Sequence, residues 1–157
     1  MKIIFLDFDG VMDTAYYSHV LGKEGRSDND EFGAVFDPNC VKNLKEIVDK
    51  TNAEIVVTSS WKSLMSYEDL LNMWEQRGLP GFVIDMTPSS PECKHRGDEI
   101  DAWLKECKDK CQYVILDDFD ESNFKEHQLS RLVVVNPYHG LDENVAERAI
   151  KLLSDER

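Results

Sequence analysis

The chain has 157 residues, of which 41% are hydrophobic and 10% aromatic, and its 31 acidic and 18 basic residues give a net charge of −13. A chain of this length can bury roughly 70% of its unfolded surface without a disulfide or a structural metal. No apolar stretch reaches the ~18 residues of a membrane span, and the acidic balance removes the attraction on which extended nucleic-acid binding depends. We therefore expect one domain over residues 1–157, with no membrane partner and no extended nucleic-acid partner.

The N-terminal sequence and the cysteines indicate the cellular compartment in which the protein is expected. The apolar run at 3–6 is short and ends directly in acids, whereas a secretory signal needs a longer apolar region and a cleavage site. Cys93-x-His95 and Cys107-x3-Cys111 have a spacing that could bind zinc. Reduced cysteines that pack as small hydrophobic residues are favoured over zinc. We expect a cytoplasmic protein.

Short apolar runs alternate along the chain with longer amphipathic segments. This alternation is typical of a parallel sheet whose strands are joined by crossover helices. The runs lack polar alternation, as expected for strands covered on both faces. Five strands are predicted, at 2–6, 54–57, 82–84, 112–116 and 131–135. The predicted fold class is therefore α/β, a three-layer Rossmann-like fold with a five-stranded parallel sheet and helices on both faces.

Helices are predicted between these strands from their capping residues and apolar stripes. One begins at Asp37-Pro38, an N-cap followed by proline at the first helical position. Another begins at Ser66, with Asp69 three residues later in a capping-box pattern. The last begins near Asp142. A third helix, between the third and fourth strands, has its apolar residues at i, i+3, i+4 and i+7, namely Ile100, Trp103, Leu104 and Cys107.

Polar residues follow three of the predicted strands at their carboxyl ends, where open parallel sheets bind ligands. They are Asp7, Asp9 and Gly10 after the first strand, Thr58, Ser59 and Ser60 after the second, and Asp117 and Asp118 after the fourth. Side chains alternate along an extended backbone, so Asp7 and Asp9 project to the same side, and Gly10 lets the chain turn close to a ligand. Acids and hydroxyls at one sheet edge suit a hard cation and a phosphate.

This ordered set of motifs resembles the haloacid dehalogenase (HAD) superfamily of Mg²⁺-dependent phosphohydrolases. Asp7-Phe8-Asp9-Gly10 matches the first motif, the strand ending in Thr58 the second, and the strand ending in Asp117-Asp118 the fourth. The third motif, a cation ahead of a helix, is matched by Arg96 or by Lys94. More narrowly, the sequence resembles the small capless branch of Swiss Army Knife RNA-repair proteins in three segments: Thr58-Ser59-Ser60-Trp61-Lys62, Arg96-Gly97-Asp98-Glu99-Ile100 and Gly140-Leu141-Asp142.

The resemblance implies a phosphomonoesterase that acts through an aspartyl-phosphate intermediate. Asp7 would be the nucleophile, and Asp9 the general acid and then the general base. The implied cofactor is Mg²⁺, held by one Asp7 oxygen, the Asp9 backbone carbonyl and Asp118, with Asp117 as the alternative or outer ligand.

The resemblance also implies how the phosphoryl group is bound. Gly10, the Thr58 hydroxyl and the Ser59 backbone N–H would hold its oxygens, and Arg96 or Lys94 would neutralise its charge. Trp61 follows the second motif directly and is a candidate for contact with the substrate.

The region at 12–36 is too short for a folded cap domain, so we expect a flap or hairpin insertion and a minimal (C0-type) cap. In this superfamily an open site of that kind admits bulky phosphorylated ends. The expected partner is therefore a nucleotide or nucleic-acid phosphate end, or alternatively a phosphorylated small molecule. An oligonucleotide would be held by a few local cations: Arg26, Lys62, Lys94 and Arg96.

Two other classes of protein have related sequence features. A receiver-type signalling domain also combines acids, a hydroxyl and a lysine on a parallel sheet. It places its acid pair after the first strand and its acceptor Asp after the third, an order that this chain does not follow. A HAD relative that binds Mg²⁺ or phosphate without turnover, as an interaction module, is the second alternative, but all four motifs here have chemically competent residues.

Overall fold

The computed structural model describes residues 1–154. A central sheet of five strands, all parallel to their neighbours, has the order β5-β4-β1-β6-β7 once the elements are numbered along the chain. The elements are β1 (Lys2–Leu6), α1 (Ala15–Lys23), β2 (Asn29–Asp30), β3 (Gly33–Ala34), α2 (Pro38–Thr51), β4 (Glu54–Val57), α3 (Tyr67–Gln76), β5 (Val83–Met86), α4 (Arg96–Glu106), β6 (Gln112–Asp117), β7 (Leu132–Val134) and α5 (Glu143–Ser154). The predicted five-stranded parallel sheet is confirmed.

Helices cover both faces of the sheet. Side chains alternate along β1, so Ile4 and Leu6 join the core formed with α2, α3 and α5, whereas Ile3 and Phe5 join the core on the other face. Ile100 of α4 is fully buried in that second core. The three-layer arrangement predicted from the sequence is therefore confirmed.

The helix starts follow the predicted capping residues. The Asp37 carboxylate accepts the backbone N–H of Asn39 (2.9 Å) ahead of α2, whose first residue is Pro38. Ser66 and Asp69 form the reciprocal capping box of α3, with distances of 3.1 and 3.2 Å. Such caps satisfy backbone N–H groups that have no partner inside the helix.

Several predicted boundaries are wrong, among them those of the fifth strand, which is predicted at 131–135 and spans Leu132–Val134. The strand predicted at 82–84 starts at Val83, and Phe82 is 77% exposed. The preceding Gly81 has φ +78°, and a Cβ there would lie 3.0 Å from Val48 Cγ2, so the chain turns tightly against the core before the strand begins. Cys107, predicted on the apolar stripe of the third helix, lies beyond α4 with an extended backbone.

Residues 12–36 contain the short strands β2 and β3 and a helix that was not predicted. Helix α1 is capped by Thr14, whose hydroxyl accepts the N–H of Tyr17 (3.0 Å), and strands β2 and β3 pair antiparallel. Leu21 is the buried residue of α1, so the helix lacks the apolar stripe that would have revealed it in the sequence. The minimal cap and the single domain stay predictions, and residues 155–157 of that domain lie outside the described residues.

Within residues 1–154, no helix combines the length and the apolar character needed to cross a membrane.

Candidate active site

The carboxyl ends of three adjacent strands meet at one edge of the sheet. Leu6 of β1 pairs with Val57 of β4 on one side and with Leu116 of β6 on the other. The backbone continues this register for one residue, because Asp7 N–H donates to the Leu116 carbonyl (3.1 Å) and Thr58 N–H donates to the Leu6 carbonyl (2.9 Å). The first, second and fourth motifs are therefore neighbours in space.

Three acids form a cluster at this edge. Oxygens of Asp7, Asp117 and Asp118 all lie within 4.8 Å of one another. Asp7 and Asp117 are buried, and Asp118 is half-buried. Burial, followed by the negative charge of Asp117, raises the pKa of Asp7 to about 8, and burial also raises the pKa of Asp117.

This cluster fits a magnesium ion. Its donors are carboxylate oxygens, which Mg²⁺ prefers, and a divalent cation would offset the burial and the repulsion that raise the pKa of Asp7. Gly10 leaves room beside the cluster, because a Cβ there would lie 2.5 Å from Asp118 Oδ2, and its φ of +81° favours glycine. Asp117 is already engaged, since it accepts the Phe119 N–H (3.0 Å), so Asp118 is the better placed of the acid pair to bind the ion.

Arg96, the first residue of α4, reaches into the cluster. Its guanidinium Nη1 lies 2.7 Å from Asp117 Oδ2 and 3.2 Å from Asp7 Oδ1, and its side chain is only 8% exposed. The ring of Phe119 lies 4.5 Å from the guanidinium carbon. Lys94, the alternative cation of the third motif, is exposed two residues earlier, where its backbone N–H donates to Asp98. The structure therefore brings Arg96 to the acids and leaves Lys94 outside the cluster.

A cavity of about 240 Å³, lined by residues with polar or charged side chains, opens beside Arg96, and we call it the phosphoryl cavity. It is lined by Thr58, Ser60, Lys62, Ser63, Ser89, Arg96 and Glu99. Thr58 is fully buried, and within residues 1–154 its hydroxyl oxygen has no hydrogen-bond partner. A buried hydroxyl without a partner is costly in a folded protein unless a ligand completes it. Ser59 is also buried, and its hydroxyl accepts the N–H of Trp61 (3.2 Å), which shapes the loop around this cavity.

Lys62 is part of this buried network and is not a surface cation. Its ammonium contacts Glu99 and donates to Thr87 Oγ1 (2.9 Å), and its side chain is 6% exposed. Burial lowers the pKa of Lys62. Glu99 also lies 3.7 Å from Arg96, so Lys62 reaches the arginine through a shared acid. Lys62, one of the cations predicted to hold an oligonucleotide, therefore lies inside this network, whereas Arg26 is exposed and pairs with Glu24 (3.2 Å).

Two contacts around Asp9 were not found from the sequence. The indole N–H of Trp61 donates to Asp9 Oδ1 (2.9 Å), and the Trp61 ring packs edge-on against Phe8 with centroids 5.2 Å apart. Asp13 lies beside Asp9, and burial, followed by the hydrogen bond with Asp9, raises the pKa of Asp13 to about 8. The position of Trp61 directly after the second motif indicates that it belongs to the site. Its hydrogen bond with Asp9 of the first motif depends on the tertiary fold and could not be predicted from the sequence.

The zinc spacing does not produce a zinc site. Cys107 Sγ and Cys111 Sγ lie 3.1 Å apart at the end of α4. In the part of the chain that the structure describes, the acidic cluster is the one group of three or more His, Cys, Asp or Glu side chains close enough to share a metal. Cys40 is fully buried in the core, as expected of a small hydrophobic residue.

The parallel sheet, the acids after β1 and β6 and the hydroxyl after β4 define an α/β domain of the HAD type, a class whose members are generally phosphohydrolases. The model of the family described as "HAD domain in Swiss Army Knife RNA repair proteins" matches residues 3–146. Because this match spans most of the chain, the protein belongs to that family. No curated protein and no solved structure gives a significant match. The family assignment argues against the receiver-type alternative.

Proposed function

We propose that the protein is a Mg²⁺-dependent phosphomonoesterase that acts through an aspartyl phosphate on Asp7. One observation carries this proposal: the cluster of three acids, two of them buried, is joined by Arg96 to a cavity that Lys62 and Thr58 also line, and the Thr58 hydroxyl has no hydrogen-bond partner within residues 1–154. A site of this kind can hold a dianionic phosphoryl group next to a carboxylate nucleophile.

The residues that would hold the metal are Asp7, the Asp9 backbone carbonyl and Asp118. When bound there, Mg²⁺ supplies positive charge that offsets the repulsion between the phosphoryl group and the attacking carboxylate. Asp117 keeps Arg96 in place through their 2.7 Å ion pair, so it acts as a positioning residue.

The chemistry proceeds in two transfers. An Asp7 carboxylate oxygen attacks phosphorus, the bond from phosphorus to the leaving oxygen breaks, and Asp9 gives its proton to that oxygen. Asp9 then takes a proton from a water molecule, which attacks the phosphorus of the aspartyl phosphate and releases inorganic phosphate with Asp7 restored. Thr58, the Ser59 N–H and Arg96 stabilise the phosphoryl oxygens in both steps.

For the substrate we propose a nucleotide or nucleic-acid phosphate end, in keeping with the RNA-repair proteins after which the family is described. A small phosphorylated metabolite is the second candidate, because the net charge of −13 opposes contact with a long polyanion. We propose that the reaction takes place in the cytoplasm. A non-catalytic Mg²⁺- or phosphate-binding module is the alternative to an enzyme.

The direct test is turnover of phosphomonoesters, from nucleotides and 3′- or 5′-phosphorylated oligonucleotides to small metabolites, with Mg²⁺ and with excess EDTA. Turnover is expected only with Mg²⁺, and both Asp7→Asn and Asp118→Ala should abolish it, whereas Asp49→Asn, on the exposed face of α2, should not affect it. Full activity in EDTA would contradict the proposal. Retention of more than about a tenth of kcat in Asp7→Asn, a loss below ~1.4 kcal/mol, would refute the role of Asp7.

A further inference from the structure

A second cavity, of about 190 Å³, lies beside Asp9 and is separate from the phosphoryl cavity. It is lined by Asp9, Phe32, Gly33, Ala34, Trp61, Leu64 and Met65. The β2–β3 hairpin of the insertion supplies one wall, and the chain that follows the second motif supplies the other. The hairpin and the segment after the second motif, neither of which has a role in the proposed reaction so far, therefore meet next to Asp9, the proposed general acid.

The position of Asp9 indicates that this cavity lies on the leaving-group side of the phosphoryl group. Asp9 Oδ1 accepts the indole N–H of Trp61 (2.9 Å), and Trp61 is itself part of the cavity wall. Thr58 lines the phosphoryl cavity, and Trp61, three residues later, lines this one. If Asp9 protonates the leaving oxygen, the group attached to that oxygen must lie on the Asp9 side of the phosphoryl group, which is where this cavity opens.

The two cavities differ in their chemistry. Lys62, Arg96 and Glu99 line the phosphoryl cavity, whereas Asp9 is the one charged residue that lines the second cavity in the described structure. Its other side chains are aromatic or aliphatic. A second phosphate placed there would be desolvated next to a carboxylate, which is unfavourable. Arg77, whose guanidinium carbon lies 5.8 Å from the centroid of the Trp61 ring, is already paired with Asp30 (2.7 Å) and does not line the cavity. An uncharged apolar group would instead gain from burial there.

The size and rigidity of the walls favour a flat ring. A cavity of ~150 Å³ lined by apolar side chains accommodates benzene, so 190 Å³ accommodates one six-membered ring with substituents. Trp61 is 9% exposed and is held between Phe8 and Phe36, with centroids 5.2 and 5.8 Å away. Gly33 has φ +126°, and a Cβ there would lie 3.3 Å from Trp61 Cη2, so the hairpin closes directly onto the indole.

We propose that this cavity is the leaving-group subsite and binds an uncharged planar ring carried by the alcohol part of the substrate. The inference rests on the proposed phosphatase function and deepens it by naming the class of leaving group. Nucleobases and aryl groups share this chemistry. Aromatic stacking and burial of one ring should raise kcat/KM about tenfold over a matched substrate without a ring.

The test compares substrates that differ in the ring. Benzyl phosphate is compared with ethyl phosphate, and uridine 5′-monophosphate with ribose 5-phosphate. We expect kcat/KM about tenfold higher for the ring-bearing member of at least one pair. An advantage for benzyl phosphate alone identifies an aryl group, and an advantage in the second pair identifies a nucleobase.

Substitutions in the cavity wall test whether the higher kcat/KM of the ring-bearing substrates arises from binding in this cavity. Leu64 is 87% exposed at the rim, so Leu64→Ser should fold normally and lower the ratio of benzyl to ethyl kcat/KM about threefold. Met65→Ser provides a second variant of the same wall. Phe82→Ser is the matched control, because Phe82 is 77% exposed and belongs to neither cavity.

Three results would overturn the inference. Equal kcat/KM for both members of both pairs, with brisk turnover, would overturn the subsite and leave the phosphatase standing. Ratios unchanged in both Leu64→Ser and Met65→Ser would show that the ring binds elsewhere. No turnover of any of the four esters with Mg²⁺ would overturn this inference together with the proposed function.

Discussion

Asp7→Asn is expected to stabilise the metal-free protein while it abolishes turnover. Burial and the neighbouring acids raise the pKa of Asp7 from 3.8 to about 8. Below the unfolded pKa, a carboxyl group of this kind is protonated in both states and does not lower the free energy of unfolding. As the pH rises from the unfolded pKa to the folded pKa, the free energy of unfolding falls, and the loss is complete above the folded pKa. At pH 7, about three units above the unfolded pKa, the loss is about 4 kcal/mol at ~1.4 kcal/mol per unit. The neutral amide of asparagine does not incur this loss.

The assay is urea unfolding in EDTA at pH 5 and pH 7. The free energy of unfolding of Asp7→Asn should exceed that of the wild type by about 1–2 kcal/mol at pH 5 and by about 4 kcal/mol at pH 7. At pH 7 this difference corresponds to an increase of roughly 10 °C in Tm. Asp49→Asn is the control, because Asp49 pairs with Lys45 on the exposed side of α2, and it should change stability by less than ~0.5 kcal/mol. An Asp7→Asn protein no more stable than the wild type at pH 7, or an advantage that does not vary with pH, would refute the reasoning.

Three further substitutions test how the site is built. Arg96→Lys should lower kcat by at least about tenfold, because one ammonium cannot replace a guanidinium that bridges two acids. Unchanged kcat in the folded variant would remove Arg96 from the mechanism. Lys62→Met removes the ammonium that Glu99 contacts and leaves this acid only its 3.7 Å contact with Arg96, so we expect a loss of about 1–3 kcal/mol in unfolding free energy and equal losses of kcat/KM on small and oligonucleotide substrates. A loss confined to oligonucleotides would show that Lys62 contacts them directly. Trp61→Phe removes the donor to Asp9 and should lower kcat about fivefold to tenfold with little change in KM, a loss of ~1–1.5 kcal/mol; unchanged kcat would show that the hydrogen bond does not position Asp9.

The sheet and the helix starts were predictable because their signals are local. The apolar runs, the Asp37-Pro38 cap and the Ser66–Asp69 capping box each need only a few neighbouring residues, and the structure confirms them. The convergence of Asp7, Thr58 and Asp117 followed from a general property of parallel sheets, whose strands end at a common edge.

The rest of the site depends on side-chain directions that the sequence does not contain. Arg96 is the first residue of α4 and Lys94 lies two residues before it, so the position at which the helix begins decides which cation faces the acids. The contact between Lys62 and Glu99 joins residues 37 positions apart in the chain, so it follows from the tertiary fold and not from a local pattern. Helix α1 buries only Leu21, so it has no apolar stripe to detect.

The central claim is that Asp7 is phosphorylated during turnover. The measurement is borohydride trapping: the protein is mixed with Mg²⁺ and a phosphomonoester, quenched in borohydride, digested and mapped by mass spectrometry, so that an aspartyl phosphate is recovered as homoserine at its position. We predict homoserine at residue 7, dependent on substrate and absent from Asp7→Asn and from the EDTA control. Turnover without homoserine at residue 7, or with homoserine at another aspartate, would contradict the account.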